Sequence, residues 1–553
     1  MNTLMKMSFA VIAIAMMPGC SGGGSNADDN NAVNDGCSAS RIPAQNNPGV
    51  TNPLVTNPLF SDVSAAAGFG YVVECKAKSP KLIGEQQLIA GGVAIGDVNG
   101  DGWDDIYIAH GGSGRNRLFI NQTDGTFAED TRSPAIALDD KPTTGPLLFD
   151  SDGDGALDLF VGGINATTAS LFLNDNNGRF SDITANSGLA SLTDSFSASS
   201  GDYNNDGLPD LYISHWLTNG SGGYLWKNKG GNQYEDVSSD AGIAAVTMNA
   251  FAANFADINA DGWSDLLVAA DFETSQVFIN QQDGTFDNTT NATISDENGM
   301  GAAVADYDND GDLDWFVTSI YDPNGIPEGT WGVSGNRLYN NQGDGTYTDV
   351  TDSANVRDGG WGWASCFADV NNDGYLDIFH VNGFEMPTDH RASEYYADKS
   401  RLFMANGDGR FSENAVSLGI SDAGQGRGVA CFDYDQDGDI DILVANNQAA
   451  PTLFRNNLLS NNLNGGSNYL SVKLVGELPN RFAIGAKATV SCGTSQQIRV
   501  VNAGSNFSSQ NSYLLHFGVA DCDTVDSVVV RWPDSTETRI DSVAVNQLLV
   551  INK

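Results

Sequence analysis

Seven short stretches hold most of the residues able to do chemistry in this chain: DVNGDGWDD from Asp97, DSDGDGALD from Asp150, DYNNDGLPD from Asp202, DINADGWSD from Asp257, DYDNDGDLD from Asp306, DVNNDGYLD from Asp369 and DYDQDGDID from Asp433. In each, Asp or Asn recurs at positions one, three and five, Gly at six and Asp at nine. Oxygens at alternating positions curl round one point, a glycine permits the sharp turn, and the backbone carbonyl of position seven and the ninth Asp complete the ring. Hard oxygen donors in that arrangement suit calcium. One copy would mean little, because Asp, Asn and Gly favour turns without any metal; seven copies in register predict about seven calcium sites. The loop is not an EF-hand, which needs Glu at position twelve and flanking helices. Position twelve here is Ile108, Val161, Ile213, Val268, Val317, His380 and Val444.

The elements that must position these loops also repeat. The loop starts are 49 to 64 residues apart. Within each period a small-residue run (GGVAIGD) precedes the loop and a β-rich run (DIYIAH, DLYISH, IDILVAN) follows it. Then come an aromatic run (RLFINQ, QVFIN) and a DGTF or DGRF turn into a fourth strand. Short, alternating, β-branched runs bounded by Gly, Asn and Asp read as strands, and four strands repeated seven times predict an all-β, seven-bladed β-propeller. The seventh period has its third strand, TLFRN, but no fourth. PLFSDVSAAAGF, at Pro58–Phe69, supplies that piece, so the N-terminal strand is expected to close the last blade and remove an open edge.

The loop and period resemble FG-GAP repeats, known from integrin α-subunit propellers and bacterial VCBS-type repeat proteins, over residues 90 to 456. Carried over, the resemblance implies a ligand set of Asp97, Asn99, Asp101, Asp105 and the Trp103 carbonyl in loop one, and of Asp150, Asp152, Asp154, Asp158 and the Ala156 carbonyl in loop two. Loop three would use Asp202, Asn204, Asp206, Asp210 and Leu208, and loop four Asp257, Asn259, Asp261, Asp265 and Trp263. Loop five would use Asp306, Asp308, Asp310, Asp314 and Asp312, loop six Asp369, Asn371, Asp373, Asp377 and Tyr375, and loop seven Asp433, Asp435, Asp437, Asp441 and Asp439. Counting side-chain ligands alone, 24 carboxylates would face seven divalent ions, so metal should contribute folding free energy. The tail, with Ile484-Gly485-Ala486, His516-Phe517-Gly518 and Val530-Arg531-Trp532-Pro533, resembles the ASPIC/UnbV domain that follows FG-GAP repeats in the cartilage acidic protein-like family. Phe482 stands where relatives often carry a small or acidic residue. The expected organisation is a signal peptide over 1–20, a tether over 21–57, the propeller over 58–460 and a β-rich ASPIC/UnbV domain over 467–553.

The formal net charge of −43 excludes non-specific nucleic-acid binding and docking on anionic lipid by a basic patch. Lys6 and the apolar run Met7–Met17 read as an export signal too short to span a bilayer. MMPGC resembles a lipoprotein signal with Cys20 as the modified residue, so the expected location is the cell envelope or outside, with any membrane attachment through that anchor. Cys37, Cys75, Cys366, Cys431, Cys492 and Cys522 then leave an even set for disulfides, and Cys492–Cys522 is the expected pair within the tail.

The resemblance places the loops between second and third strands on the face opposite the calcium loops, where integrins bind ligands. Two are long, Tyr321–Asn336 and Gly383–Ser400, and long loops on a rigid scaffold commonly carry function. Trp331, His390, Glu394, Tyr395 and Tyr396, with Trp361 and Trp363, are the candidate ligand-binding residues, the aromatics forming a platform for a sugar ring or peptide. The bland reading is that these loops only pack on each other or on the tail. No G-x-S-x-G, H-E-x-x-H or P-loop occurs, so no catalytic residues are assigned. The favoured function is a non-catalytic adhesion or recognition module for a protein or glycan. The alternative is a calcium-dependent polysaccharide hydrolase or lyase on the same face.

Overall fold

The computed structural model describes residues 58–70, 85–112, 114–139, 141–216, 222–322, 332–384, 395–461, 467–504 and 506–553. The expectations for Cys20, Cys37, Cys75, the signal and the tether lie outside them. Small residues in the first run of each repeat allow close approach at the ring axis, and these runs form the innermost strands: Gly92–Gly96, Thr143–Phe149, Ser195–Gly201, Asn249–Ala256, Ala302–Ala305, Gly362–Ala368 and Gly426–Phe432. Each opens an antiparallel sheet built in sequence order, and the described strands make seven such sheets. Neighbouring innermost strands touch all the way round, and the seventh touches the first. The ring is therefore closed, with apolar residues packed between blades, as with Tyr107, Leu148 and Phe172 between blades one and two.

The last blade is completed from the N-terminus. Phe60–Asp62 pairs antiparallel with Thr452–Asn456, Phe60 opposite Asn456 and Asp62 opposite Phe454. Phe60 is buried there.

The C-terminal residues form a three-stranded sheet, in which Asn468–Val475 pairs with Leu515–Ala520 and, in parallel, with Leu548–Asn552. Four further strands, Ser495–Val500, Lys487–Cys492, Thr524–Arg531 and Glu537–Ala544, make a second sheet. Leu470, Val490, Phe517, Val528 and Trp532 fill the core between them. Cys492 and Cys522 are bonded, as expected. A second disulfide joins Cys366 to Cys431.

The C-terminal domain sits on the acidic-loop face and sends a segment into the ring axis. Ser509–Gln510 pairs in parallel with Val93–Ala94 of blade one. Ser508 O accepts from Val93 N at 3.1 Å, Gln510 brackets Leu148 of blade two through both its N–H and carbonyl at 2.7 Å, and Ser509 Oγ accepts from Val429 N of blade seven. Phe507, fully buried, lies edge-on to Phe251 and against Trp363. Innermost strands expose one row of backbone groups to the axis, and buried groups need partners; this segment supplies several of them.

Candidate metal centre

Each acidic loop joins the first and second strands of its blade. The first-position Asp folds the loop back on itself: Asp97 Oδ2 accepts from Gly102 N at 2.8 Å, and its Oδ1 accepts from Gly100 N and Asp101 N. The third and fifth positions turn inward in Asx turns, as where Asp101 Oδ1 accepts from Trp103 N.

The ninth Asp has a second task. All seven are at most 1% exposed. One oxygen accepts from the second-position N–H of its own loop, as Asp105 does from Val98 N at 3.1 Å. The other accepts from the N–H that ends the third strand, as Asp105 does from Asn121 N at 2.9 Å. The same pair recurs in every loop. Burial pushes these carboxyls up, Asp105 to about 8 and Asp314 to about 9, and Asp210, Asp377 and Asp441 well above the usual range, against the lowering by those N–H groups. Four first-position acids follow, Asp150 and Asp202 to about 6 and Asp306 and Asp369 to about 7, again by burial first. Buried carboxylates crowded together call for a cation.

The donor set fits one. In loops two, five and seven the ligand atoms of Asp150, Asp152 and Asp158, of Asp306, Asp308 and Asp314, and of Asp433, Asp435 and Asp441 lie within 4.8 Å of one another. Buried Asp308 Oδ1, Asp435 Oδ1 and Asp439 Oδ1 have no hydrogen-bond partner. These groups could hold a metal ion through carboxylate oxygens alone, the chemistry of a hard cation. The loops are not equivalent, however. Arg455 lies 3.0 Å from both Asp435 and Asp437 in loop seven, and Lys227 lies 3.2 Å from Asp206 in loop three.

A supporting residue escaped the sequence reading. The Asn ending the third strand reaches the preceding blade: Asn121 Nδ2 donates to Tyr434 O, Asn174 to Val98 O, Asn228 to Ser151 O, Asn280 to Tyr203 O, Asn341 to Ile258 O and Asn456 to Val370 O, at 2.7–2.9 Å. Each acceptor is the second residue of an acidic loop, so one blade fixes its neighbour's loop. Its signal was the Asn recurring at the end of RLFIN-type runs; blade six has Ala405 instead.

Of the residues expected on the opposite face, Trp331, His390 and Glu394 lie outside the described residues. Trp361, Trp363 and Tyr395 do not form an exposed platform. They are at most 7% exposed: Trp361 stacks on Phe384 at 4.2 Å, Tyr395 packs edge-on to Trp361 and donates to Tyr321 O, and the Arg427 guanidinium lies 4.4 Å over Trp363. Large rings gain more from burial than from solvent. Tyr396 is half-buried, and its carbonyl accepts from Gln425. His110, His215 and His380 are buried, and burial pushes them down to about 4, 4 and 3.

A ring of four-stranded sheets with an acidic loop after each innermost strand defines a repeat propeller, and the FG-GAP-like repeat family matches residues 97–161, 150–213, 257–317, 326–380 and 392–457. The chain belongs to that family. The ASPIC and UnbV family matches residues 476–553. Among individual proteins, the chain is 27% identical to cartilage acidic protein 1 of Homo sapiens over 80% of its own length and 68% of that protein's. Solved structures similar to it include an Agrocybe aegerita lectin that recognises non-reducing terminal N-acetylglucosamine (18% identity, 64% of this chain and 88% of that one, TM-score 0.41) and a Bacillus licheniformis rhamnogalacturonan lyase (13%, 72% and 75%, TM-score 0.38).

Proposed function

We propose that this protein is an extracytoplasmic, calcium-binding recognition module without catalytic activity, its seven acidic loops holding calcium that stiffens the ring and its opposite face binding a protein or glycan. The observation that carries the reading is the convergence of three carboxylates within 4.8 Å in loops two, five and seven, inside a loop pattern repeated in all seven blades. The two disulfides suit an oxidising compartment. The C-terminal domain covers much of the acidic-loop face, which leaves the opposite face for a partner. There the turn between the second and third strands of blade four holds Phe272 and Glu273 at φ of 58° and 59°, an outlier for a bulky residue, with Phe272 46% exposed. Glu273 N donates to Glu297 O, and Glu297 Oε2 accepts from Val333 N and Ser334 N. The exposed Phe272 and Val333 thus lie on two segments joined through Glu297, at the edge of the long blade-five loop.

Calorimetric titration of metal-depleted protein with calcium tests the first half: several ions should bind, and a flat titration would sink it. A glycan and peptide binding screen, with turnover assayed in parallel, tests the second. Phe272→Ala should weaken any ligand found, and product formation would refute the non-catalytic reading.

A further inference from the structure

The acidic loops are tied to one another. The fourth loop residue has a left-handed backbone, with φ of 53° at Asn205, 61° at Asn309, 56° at Asn372 and 54° at Gln436, and this turn aims its amide at the next loop. Asn309 Nδ2 donates to Gly374 O at 2.9 Å, Asn372 Nδ2 to Gly438 O at 3.2 Å, and Gln436 Nε2 to Gly102 O at 2.9 Å; Asn205 reaches Gly262 O at 3.4 Å. Every acceptor is the sixth-position glycine, whose own N–H is held by the first-position Asp of its loop. Loops five, six, seven and one therefore form a continuous chain. Gly100, Gly153 and Ala260, which have no side-chain amide to give, occupy the fourth position of loops one, two and four.

The C-terminal domain grips this chain at Asn372. Asn372 is 1% exposed; its Oδ1 lies 2.6 Å from His516 Nε2, and its carbonyl accepts from Ala520 N at 3.0 Å. Beside it, Gly518 has no room for a side chain, since a Cβ there would lie 2.0 Å from Asp369 Oδ2. His516 and Gly518 belong to the His-Phe-Gly run of the domain, and the same domain inserts Phe507–Gln510 at the ring axis.

We propose that loops five, six, seven and one bind calcium as one cooperative block, and that Asn372 couples this block to the seating of the C-terminal domain and its axial segment. The inference rests on the calcium reading above. An ion that draws the carboxylates of one loop together fixes that loop's glycine carbonyl, and so orders the amide of the loop before it; the neighbour then binds with less ordering left to do. Linkage is reciprocal, so a seated domain raises calcium affinity by the factor by which calcium favours seating.

The test uses the full chain, with a calcium titration read by calorimetry and by hydrogen exchange at Phe507–Gln510 and at Val93, whose N–H donates to Ser508. In the parent, protection should rise over the same calcium concentrations as binding, with a slope steeper than independent sites. Asn372→Gly keeps the left-handed turn but removes the amide; the slope should flatten, and calcium should no longer shift axial protection by the expected factor of about ten. His516→Leu leaves the loop chain intact, so steep binding should persist while axial protection uncouples. Ala260→Gly, where no amide exists, should change neither. Calcium binding with axial exchange indifferent to it would overturn this inference alone, as would Asn372→Gly behaving like the parent; no calcium binding at all would overturn the calcium reading with it. Should Asn372→Gly fail to fold, His516→Leu decides the matter: axial protection that still tracks calcium in that variant would overturn the coupling.

Discussion

Cys366 and Cys431 bond the innermost strands of blades six and seven to each other, their Cα atoms 6.4 Å apart across the seam. The Cys431 N–H donates to Asn511 Oδ1, so the bond lies beside the segment that enters the axis. Ring closure thus uses three devices: this bond, the N-terminal strand and the axial segment. A propeller opens most easily where its first and last blades meet, and all three act on the last blade.

Replacing both Cys366 and Cys431 by Ala should lower stability by about 2–4 kcal/mol, because the bond closes a long loop in the unfolded chain. Denaturant unfolding with and without reductant checks this. The parent should lose more on reduction than the variant does, since both retain Cys492–Cys522; equal losses would show that the bond contributes nothing.

Phe60 is 1% exposed in the outer strand of blade seven, and Val63 N donates to Leu453 O just beyond it. Phe60→Ala should cost about 3–5 kcal/mol, as for other buried Phe side chains, and should lower the melting temperature of the whole ring rather than loosen a tail. Calorimetry of the variant decides; a transition within a degree of the parent's would refute the closure role.

Much of this was legible in sequence because it repeats. The loops, the four-strand period and the missing fourth strand of blade seven each appear as a pattern in register, and local chemistry at Asp, Asn and Gly dictates the turn. The axial segment was not legible: NAGSNFSSQ reads as part of the tail's strands and Gly-rich turns, and only the backbone groups that the innermost strands of blades one, two, three and seven turn to the axis make it a buried core element. The fourth-position amides were hidden for a related reason. Asn372 in a left-handed turn looks like ordinary loop chemistry until the neighbouring loop is placed beside it. Trp361, Trp363 and Tyr395 misled in the opposite sense, since an aromatic residue near a long loop has the same letter whether it faces solvent or packs under it.

Acidity should act oppositely on metal-free and calcium-loaded protein. Asp105, Asp158, Asp265 and Asp314 are pushed up by burial to between about 7 and about 9. A group raised in the folded state holds its proton there after the unfolded chain has lost it, so its contribution is full below the unfolded pKa near 4 and is lost as pH rises through 7 to 9. Metal-depleted protein should therefore melt lower at pH 8.5 than at pH 5.5. Saturating calcium should reverse the order, since ligands must be deprotonated to bind. A metal-depleted melting temperature that rises across this window would contradict the burial argument.

Loop seven should be the site most open to improvement. Arg455 already lies 3.0 Å from Asp435 and Asp437, whereas the equivalent third-strand position in blades one, two and four holds Ile120, Leu173 and Ile279. A guanidinium there stabilises the empty loop and repels an arriving cation. Arg455→Gln removes that charge while keeping most of the side chain's bulk. Calcium affinity at one site should rise roughly tenfold, a size set by removing a unit charge a few ångströms from a divalent ion near the surface. The melting temperature without calcium should fall, because Asp435 and Asp437 lose their partner. Calorimetric titration resolves the two effects; a variant that binds calcium no more tightly than the parent, or is more stable than it without calcium, would refute this role of Arg455.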